Sequence, residues 1–447
     1  MTDTDTARNP FTPRQVMAVI VANMIGTGVF TSLGYQLVDI TSGFAILFLW
    51  ALGGLAALCG ALCYAELGGA FVRSGGEYNF LSRIYHPSLG FMAGFVSATV
   101  GFAAPIALAA MAFAAYLTSA LSLGQGIWGE RFIACALILG LALIHGRSRQ
   151  ASGQFQSLFT AIKIAVILVF CAAIFLGLEN PQQVRFLPHS EDMTALMSAP
   201  FAISLIYVGY AYTGWNAATY IIGEMAEPQR HLPRVLFLGT GIVLALYLAL
   251  NAAFLLAAPV SALAGQEEVG FIAVQYAFGQ QAGVIAGLVL AGLLISTISA
   301  MTITGPRVLQ VIGQDLFVFR SLAVVNAQGL PRRAIWFQTV LALSFVMLST
   351  FEPLLVFSGL ILTLMSFLAV LGVIVLRLRN PDIERSFKVP LFPLVPFIYL
   401  GVSGWALYFI ISTRPTEVAY SALLLATGFI VYAVARWRNP PETQEPV

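Results

Sequence analysis

The sequence predicts an all-α polytopic membrane protein of twelve transmembrane helices, the first and sixth interrupted near their middles. Three observations carry this. The chain of 447 residues is 59% hydrophobic and only 9% charged, whereas a soluble domain averages about 25% charged residues. Apolar stretches long enough to cross a ~30 Å hydrocarbon layer recur along its whole length. Glycines interrupt two of these stretches where a membrane demands unbroken helix.

The stretches run over about 14–37, 42–69, 88–121, 131–146, 153–178, 196–225, 233–258, 270–304, 334–350, 353–377, 393–412 and 416–436. The polar residues 1–13 lack the layout of a cleaved signal peptide, so the first helix is expected to target the chain. That helix contains Asn23-Met-Ile-Gly26-Thr27-Gly28-Val-Phe30. The fifth carries Lys163, and the sixth contains Tyr207-Val-Gly-Tyr210-Ala211-Tyr-Thr213-Gly-Trp215-Asn216. The eighth is long enough to continue as a helix into the following connection. The longest connections, about 70–87, 179–195, 305–333 and 378–392, leave no room for a soluble domain; the last is charged and contains proline.

Orientation follows from the cations. With the N-terminus inside, only Arg131, Arg185 and Arg414 fall outside. Apart from Lys163, every other member of the 22 Lys and Arg lies on the cytoplasmic side. Cations mark cytoplasmic loops, so both termini are expected in the cytoplasm, with tails over 1–13 and 437–447. The expected location is the plasma membrane, the inner one in a Gram-negative cell.

Composition also excludes. A net charge of +2 implies no nucleic-acid partner. Cys59, Cys63, Cys135 and Cys171 lie in apolar runs; with no histidine or second pair beside Cys59 and Cys63 they read as packing residues, not metal ligands. His86, His145, His189 and His231 lie at helix ends or in loops, and no HExxH, no Ser-His-Asp order and no paired mid-membrane carboxylates occur. No enzyme, metal or cofactor is therefore expected.

Lys163 is one of two lysines and sits within an apolar helix. Counted from Gln154 at ~1.5 Å per residue, it lies roughly 14 Å deep, near mid-membrane. A cation there costs at least ~2.5–3.5 kcal/mol and marks a functional site by default; a polar packing contact is the plainer alternative.

Either glycine cluster alone also fits a close helix crossing. Together they interrupt the first members of two five-helix halves, 14–178 and 196–377, with two further helices over 393–436. Five is odd, so the halves run inverted. Paired breaks of this kind point to a transporter site, as in the leucine-transporter fold that exemplifies the rule. Unwinding exposes the N–H groups of Thr27, Gly28 and Val29, which suit a carboxylate. It also exposes C=O groups near Met24, Tyr210 and Ala211, which suit an ammonium.

These residues resemble the amino acid–polyamine–organocation superfamily, especially its sodium-independent L-type and related bacterial branches. The resemblance rests on Ile25-Gly-Thr-Gly-Val-Phe30, Tyr64-Ala-Glu66-Leu-Gly68, Arg73-Ser-Gly-Gly-Glu-Tyr78 and Phe159-Thr-Ala-Ile-Lys163. It extends through Glu224-Met-Ala-Glu-Pro-Gln-Arg230, Pro233-Arg234, Pro306-Arg307 with Asp315, and Gly329-Leu-Pro331. It implies that Lys163 replaces a coupling sodium ion, bonding carbonyls near Ile25 and Gly26 and a hydroxyl on the eighth helix, with Ser296 and Ser299 as candidates. It implies an aromatic gate at Tyr210, beside Trp215, and a pocket narrowed by Thr213. Partner-linked L-type relatives carry an outer-loop cysteine; Ser122 to Glu130 contains none, so no disulfide-linked subunit is expected.

Glu66 and Glu224 are the innermost acids, expected either to pair with Arg73, Arg230 or Arg234 in an inner gate or to face water. No acid is expected at mid-depth, which favours substrates with uncharged side chains. The resulting expectation is a secondary transporter of neutral L-amino acids, embedded in the lipid bilayer and working by alternating access as symporter or exchanger, with protons as a candidate coupling ion. The alternatives are an amine or polyamine carrier, which would want acids in the cavity, and a receptor or channel, which would want a continuous polar pore.

Overall fold

A computed structural model describes residues 11–124, 126–146, 152–315, 319–326 and 330–438. The described residues are helical, with one isolated bridge between Phe11 and Met225. Among the described residues ten helices are long and apolar enough to cross a membrane, which makes this a multi-pass membrane protein. In chain order the principal helices are α1 Pro13–Met24, α2 Thr27–Gln36, α3 Gly43–Ala70, α4 Glu77–Ile84, α5 Pro87–Val96 and α6 Ala103–Leu121. They continue with α7 Gly126–His145, α8 Ser152–Gly177, α9 Ala199–Tyr212, α10 Pro228–Ala257, α11 Val269–Phe278 and α12 Gln280–Asp315. The last are α13 Arg332–Leu348, α14 Phe351–Arg379, α15 Leu394–Thr413 and α16 Pro415–Arg438.

The helix ends follow local chemistry. Thr12 and Gln15 cap each other reciprocally at the start of α1, with Pro13 in the first turn, where its missing N–H costs nothing. Ser42 and Ser198 accept from backbone N–H groups at the starts of α3 and α9. The 270–304 stretch divides into α11 and α12 at Gly279, whose φ of 87° suits glycine. From there α12 does continue into the next connection, to Asp315. The 196–225 stretch holds its main helix for only 14 residues, α9. The helix within 334–350, α13, has 17 residues.

Small residues set the packing. Ala103, Ala104, Ala107, Ala109, Ala110, Ala112 and Ala114 of α6 are completely buried, and α6 lies closely along α12. Alanine lets two helix backbones approach where lipid supplies no hydrophobic drive to pair. The long helix α10 packs along α3 and also touches α1 and α8. Between α5 and α6 the backbone takes one π-helical turn, Ser97–Gly101, a distortion frequent at functional sites. At the rim, Phe132 of α7 and Leu176 of α8 stay exposed, as lipid-facing side chains do.

Candidate functional site

The first helix unwinds at Ile25 and Gly26, between α1 and α2. The other interruption follows α9: Thr213 and Gly214 leave the helix, and the chain resumes as a short turn at Ala217–Tyr220. The two openings touch. A Cβ on Gly28 would sit 2.5 Å from the Ala211 Cα, and one on Gly214, whose φ is 113°, would sit 2.8 Å from the Asn23 carbonyl carbon. Glycine is required at both places, by close approach at Gly28 and by conformation as well at Gly214.

Beside this contact lies a cavity of about 130 Å³. At roughly 10–15 Å³ for each water, it has room for a small organic molecule. Met24, Gly26, Thr27, Gly28, Tyr210, Ala211, Thr213 and Trp215 all line it; Ile25 is completely buried behind them. Gly26 offers no capping side chain to α2, so the first amides of that helix have no intrahelical partner. Thr213 donates to the Gly209 carbonyl (3.1 Å). Trp215 meets Tyr64 edge-on at 4.6 Å between ring centroids.

Lys163 is 1% exposed. Its ammonium donates to the Ile25 carbonyl (2.9 Å) and to Thr297 Oγ1 (2.8 Å). The hydroxyl is thus Thr297, not the expected Ser296 or Ser299. Ser296 Oγ is buried without a partner among the described residues, and Ser299 Oγ pairs with His145 Nε2 (2.9 Å). Helix phase explains the difference: Ser296 and Ser299 are three apart and share a face, while Thr297 is turned by about 100° toward the opening. Thr297 also lines the cavity.

Glu66 departs from its expected partners as well. It is completely buried and takes a bidentate pair from Arg377 (Nε 2.8 Å, Nη2 2.6 Å), a bond from the Val389 amide (2.7 Å) and an approach from Arg385 (3.5 Å). Of the proposed partners, Arg73 binds Asp315 (2.7 Å) and Arg230 binds Glu227 (3.4 Å). The face of α3 that carries Glu66 turns to α14 and the loop after it, not to the neighbouring connections. The Glu224 side chain lies outside the described residues.

Two further residues belong to the site. Tyr247 of α10 places its hydroxyl between the Met24 (2.5 Å) and Ala211 (3.0 Å) carbonyls, joining both openings; nothing local marks a tyrosine in an apolar helix. Glu77 is 3% exposed and lines the cavity, which overturns the expectation that no acid is found there. Its signal was present: the preceding Gly75 and Gly76 have φ of 123° and 54° and fold the acid inward at the start of α4. On the far side, Tyr35 donates to Glu267 (3.0 Å), a loop carboxyl that burial pushes up to about 7.

Multi-pass helices enclosing a partly polar cavity of this size are the architecture that a membrane carrier needs. The sequence profile of the amino acid permease family matches residues 11–435, and the chain belongs to that family. It is 28% identical to the b(0,+)-type amino acid transporter 1 of Mus musculus over 429 residues, covering 93% of this chain and 85% of the relative. It is 29% identical to the large neutral amino acids transporter small subunit 2 of Mus musculus, over 95% of this chain and 80% of the relative. It is 27% identical to the serine/threonine exchanger SteT of Bacillus subtilis, over 93% and 94%. The chain is accordingly an amino acid transporter; its family and these relatives are permeases and transporters, one of them an exchanger, not enzymes.

Proposed function

We propose that this transporter carries neutral L-amino acids, independently of sodium, by alternating access around the cavity between the two openings. In this reading twelve helices form two inverted five-helix repeats, 14–178 and 196–377, with 393–436 added, both termini in the cytoplasm and the plasma membrane as the site of action. The short α9 and α13 would complete the count. The observation that carries the reading is the contact of both unwound segments beside one cavity. There the free amides at Thr27 and Gly28 would hold the substrate carboxylate. Carbonyls at Met24 and Ala211 would share the ammonium with the Tyr247 hydroxyl, since each carbonyl has two lone pairs. Tyr210 would close over the substrate, and Thr213 would limit its side chain.

Sodium independence is supported by the Lys163 ammonium, which ties α8 to Ile25 and to Thr297 of α12, the bridge a cation would otherwise make. The neutral preference is supported by a lining rich in small and hydroxyl-bearing residues such as Ala56, Ala57, Thr363 and Ser366. The acid that does reach the wall, Glu77, already accepts three hydrogen bonds. No disulfide-linked subunit is proposed, since the Ser122 to Glu130 loop lacks cysteine.

A thermal-shift panel tests the substrate. Neutral L-amino acids are expected to stabilise the purified protein and to displace one another; stabilisation by spermidine or L-lysine alone would overturn the proposal. Uptake into liposomes tests the coupling. A steep rise with an imposed sodium gradient, unaffected by Lys163→Ala, would remove the role given to Lys163.

A further inference from the structure

We propose that Glu77 is a proton-binding site, loaded and unloaded during the transport cycle through a relay with Tyr220 and Ser97. The inference rests on the transport reading above and deepens it at a residue to which that reading gives no coupling role. Glu77 is buried in the cavity wall, and among the described residues no cation pairs with it. Its donors are neutral: Tyr64 Oη (2.8 Å) and Asn216 Nδ2 (2.6 Å) on Oε1, and Tyr220 Oη on Oε2. The titratable groups that interact with it are the phenols Tyr64 of α3, Tyr220 of the turn after the second opening, and Tyr399 of α15. Burying a carboxylate without a counter-charge is costly, and an ionisable side chain at membrane depth marks a functional site by default.

The surroundings accept either state. Ser97 Oγ and Tyr220 Oη lie 3.3 Å apart, and either can donate. With Glu77 ionised, Ser97 donates to Tyr220 and Tyr220 donates to Oε2. With a proton on Oε2, Glu77 donates to Tyr220 and Tyr220 donates to Ser97. Oε1 accepts from Tyr64 and Asn216 in both. The proton is gained or lost by turning two hydroxyl rotors, and every hydrogen bond survives. Ser97 belongs to the π-helical turn and lines the cavity, which gives the relay an end at the substrate space. Tyr220 and Asn216 flank the short turn below the second opening, and Gly76 packs on the Tyr220 ring, so the proton state bears on the segment that must move.

The full chain is reconstituted in liposomes holding a pH-sensitive dye, and uptake of labelled L-threonine and L-leucine is read together with internal pH. Wild type is expected to acidify or alkalinise the lumen in proportion to amino acid uptake, since intramembrane acids mark proton relays. In Glu77→Gln the ratio of protons to amino acid falls at least about tenfold, and Tyr220→Phe, which removes only the relay hydroxyl, lowers it as well. Wild-type uptake without pH change, or an unchanged ratio in Glu77→Gln, overturns the proposal. So does L-lysine uptake that depends on Glu77 while no proton moves, which would make Glu77 a receptor for a substrate ammonium. Infrared titration of the purified protein decides the site without transport: a protonated-carboxyl band that titrates with pH must be missing from Glu77→Gln, and its persistence there refutes the assignment. If wild type takes up no amino acid, the transport reading fails while the infrared result still tests Glu77.

Discussion

Replacing Lys163 by methionine or by alanine separates the charge of this side chain from its volume. Its two hydrogen bonds, 2.9 Å to Ile25 and 2.8 Å to Thr297, are charge-assisted and worth about 1.5–3 kcal/mol each. Against them stands the cost of holding an ammonium out of water, of comparable size, which disappears with the charge. Lys163→Met refills the space, so its stability is expected to lie within about 2 kcal/mol of wild type. Lys163→Ala leaves a cavity besides, costing about 2–5 kcal/mol more. Transport is not expected to follow that ranking. Either change releases the Ile25 carbonyl and lets the opening drift, and a shift of about 1 Å is enough to lose on the order of 100-fold in rate. Denaturation of the purified variants measures the first quantity and uptake into liposomes the second. Lys163→Met with wild-type uptake, or uptake losses that merely track stability, would show that the ammonium does not position the opening.

Four other outcomes are expected. Gly28→Ala drives a methyl to 2.5 Å from Ala211 Cα, so it should cost about 1–3 kcal/mol and abolish stabilisation by substrate in a thermal-shift assay. Arg377→Ala strands the buried Glu66 carboxylate and should destabilise by about 3–5 kcal/mol; adding Glu66→Gln should recover part of that in chemical denaturation. Tyr247→Phe removes the proton shared by the Met24 and Ala211 carbonyls and should lower the unfolding free energy by about 1–3 kcal/mol. The Glu267 carboxyl sits at about 7 against an ordinary 4.5, so between those values the folded protein holds a proton that the unfolded chain has released. Stability from this group therefore falls as pH rises through that window, by roughly 3 kcal/mol at most, and melting curves of Glu267→Gln should lack that slope.

The membrane class was legible because hydropathy reports the solvent each segment prefers, residue by residue. The openings were legible because glycine at Gly26, Gly28 and Gly214 carries its conformational meaning locally. Lys163 stood out because a cation within an apolar helix is anomalous whatever surrounds it. Its hydroxyl partner did not. Thr297, Ser296 and Ser299 offer the same chemistry within a few residues, and only the rotation of α12 against α1 separates them. Glu77 was passed over because sequence position placed it in a loop, whereas the left-handed Gly75 and Gly76 carry that loop inward.

By itself, then, the sequence determined what depends on local chemistry: an all-helical chain for lipid, two weak points in its helices, a misplaced cation and the family to which it belongs. Tertiary structure alone decided the partners. Lys163 meets Thr297 across 134 positions, Tyr247 meets Met24 across 223 and Arg377 meets Glu66 across 311. Such pairings depend on helix phase and crossing, which are set by how all the helices pack together and leave no local trace in composition or spacing.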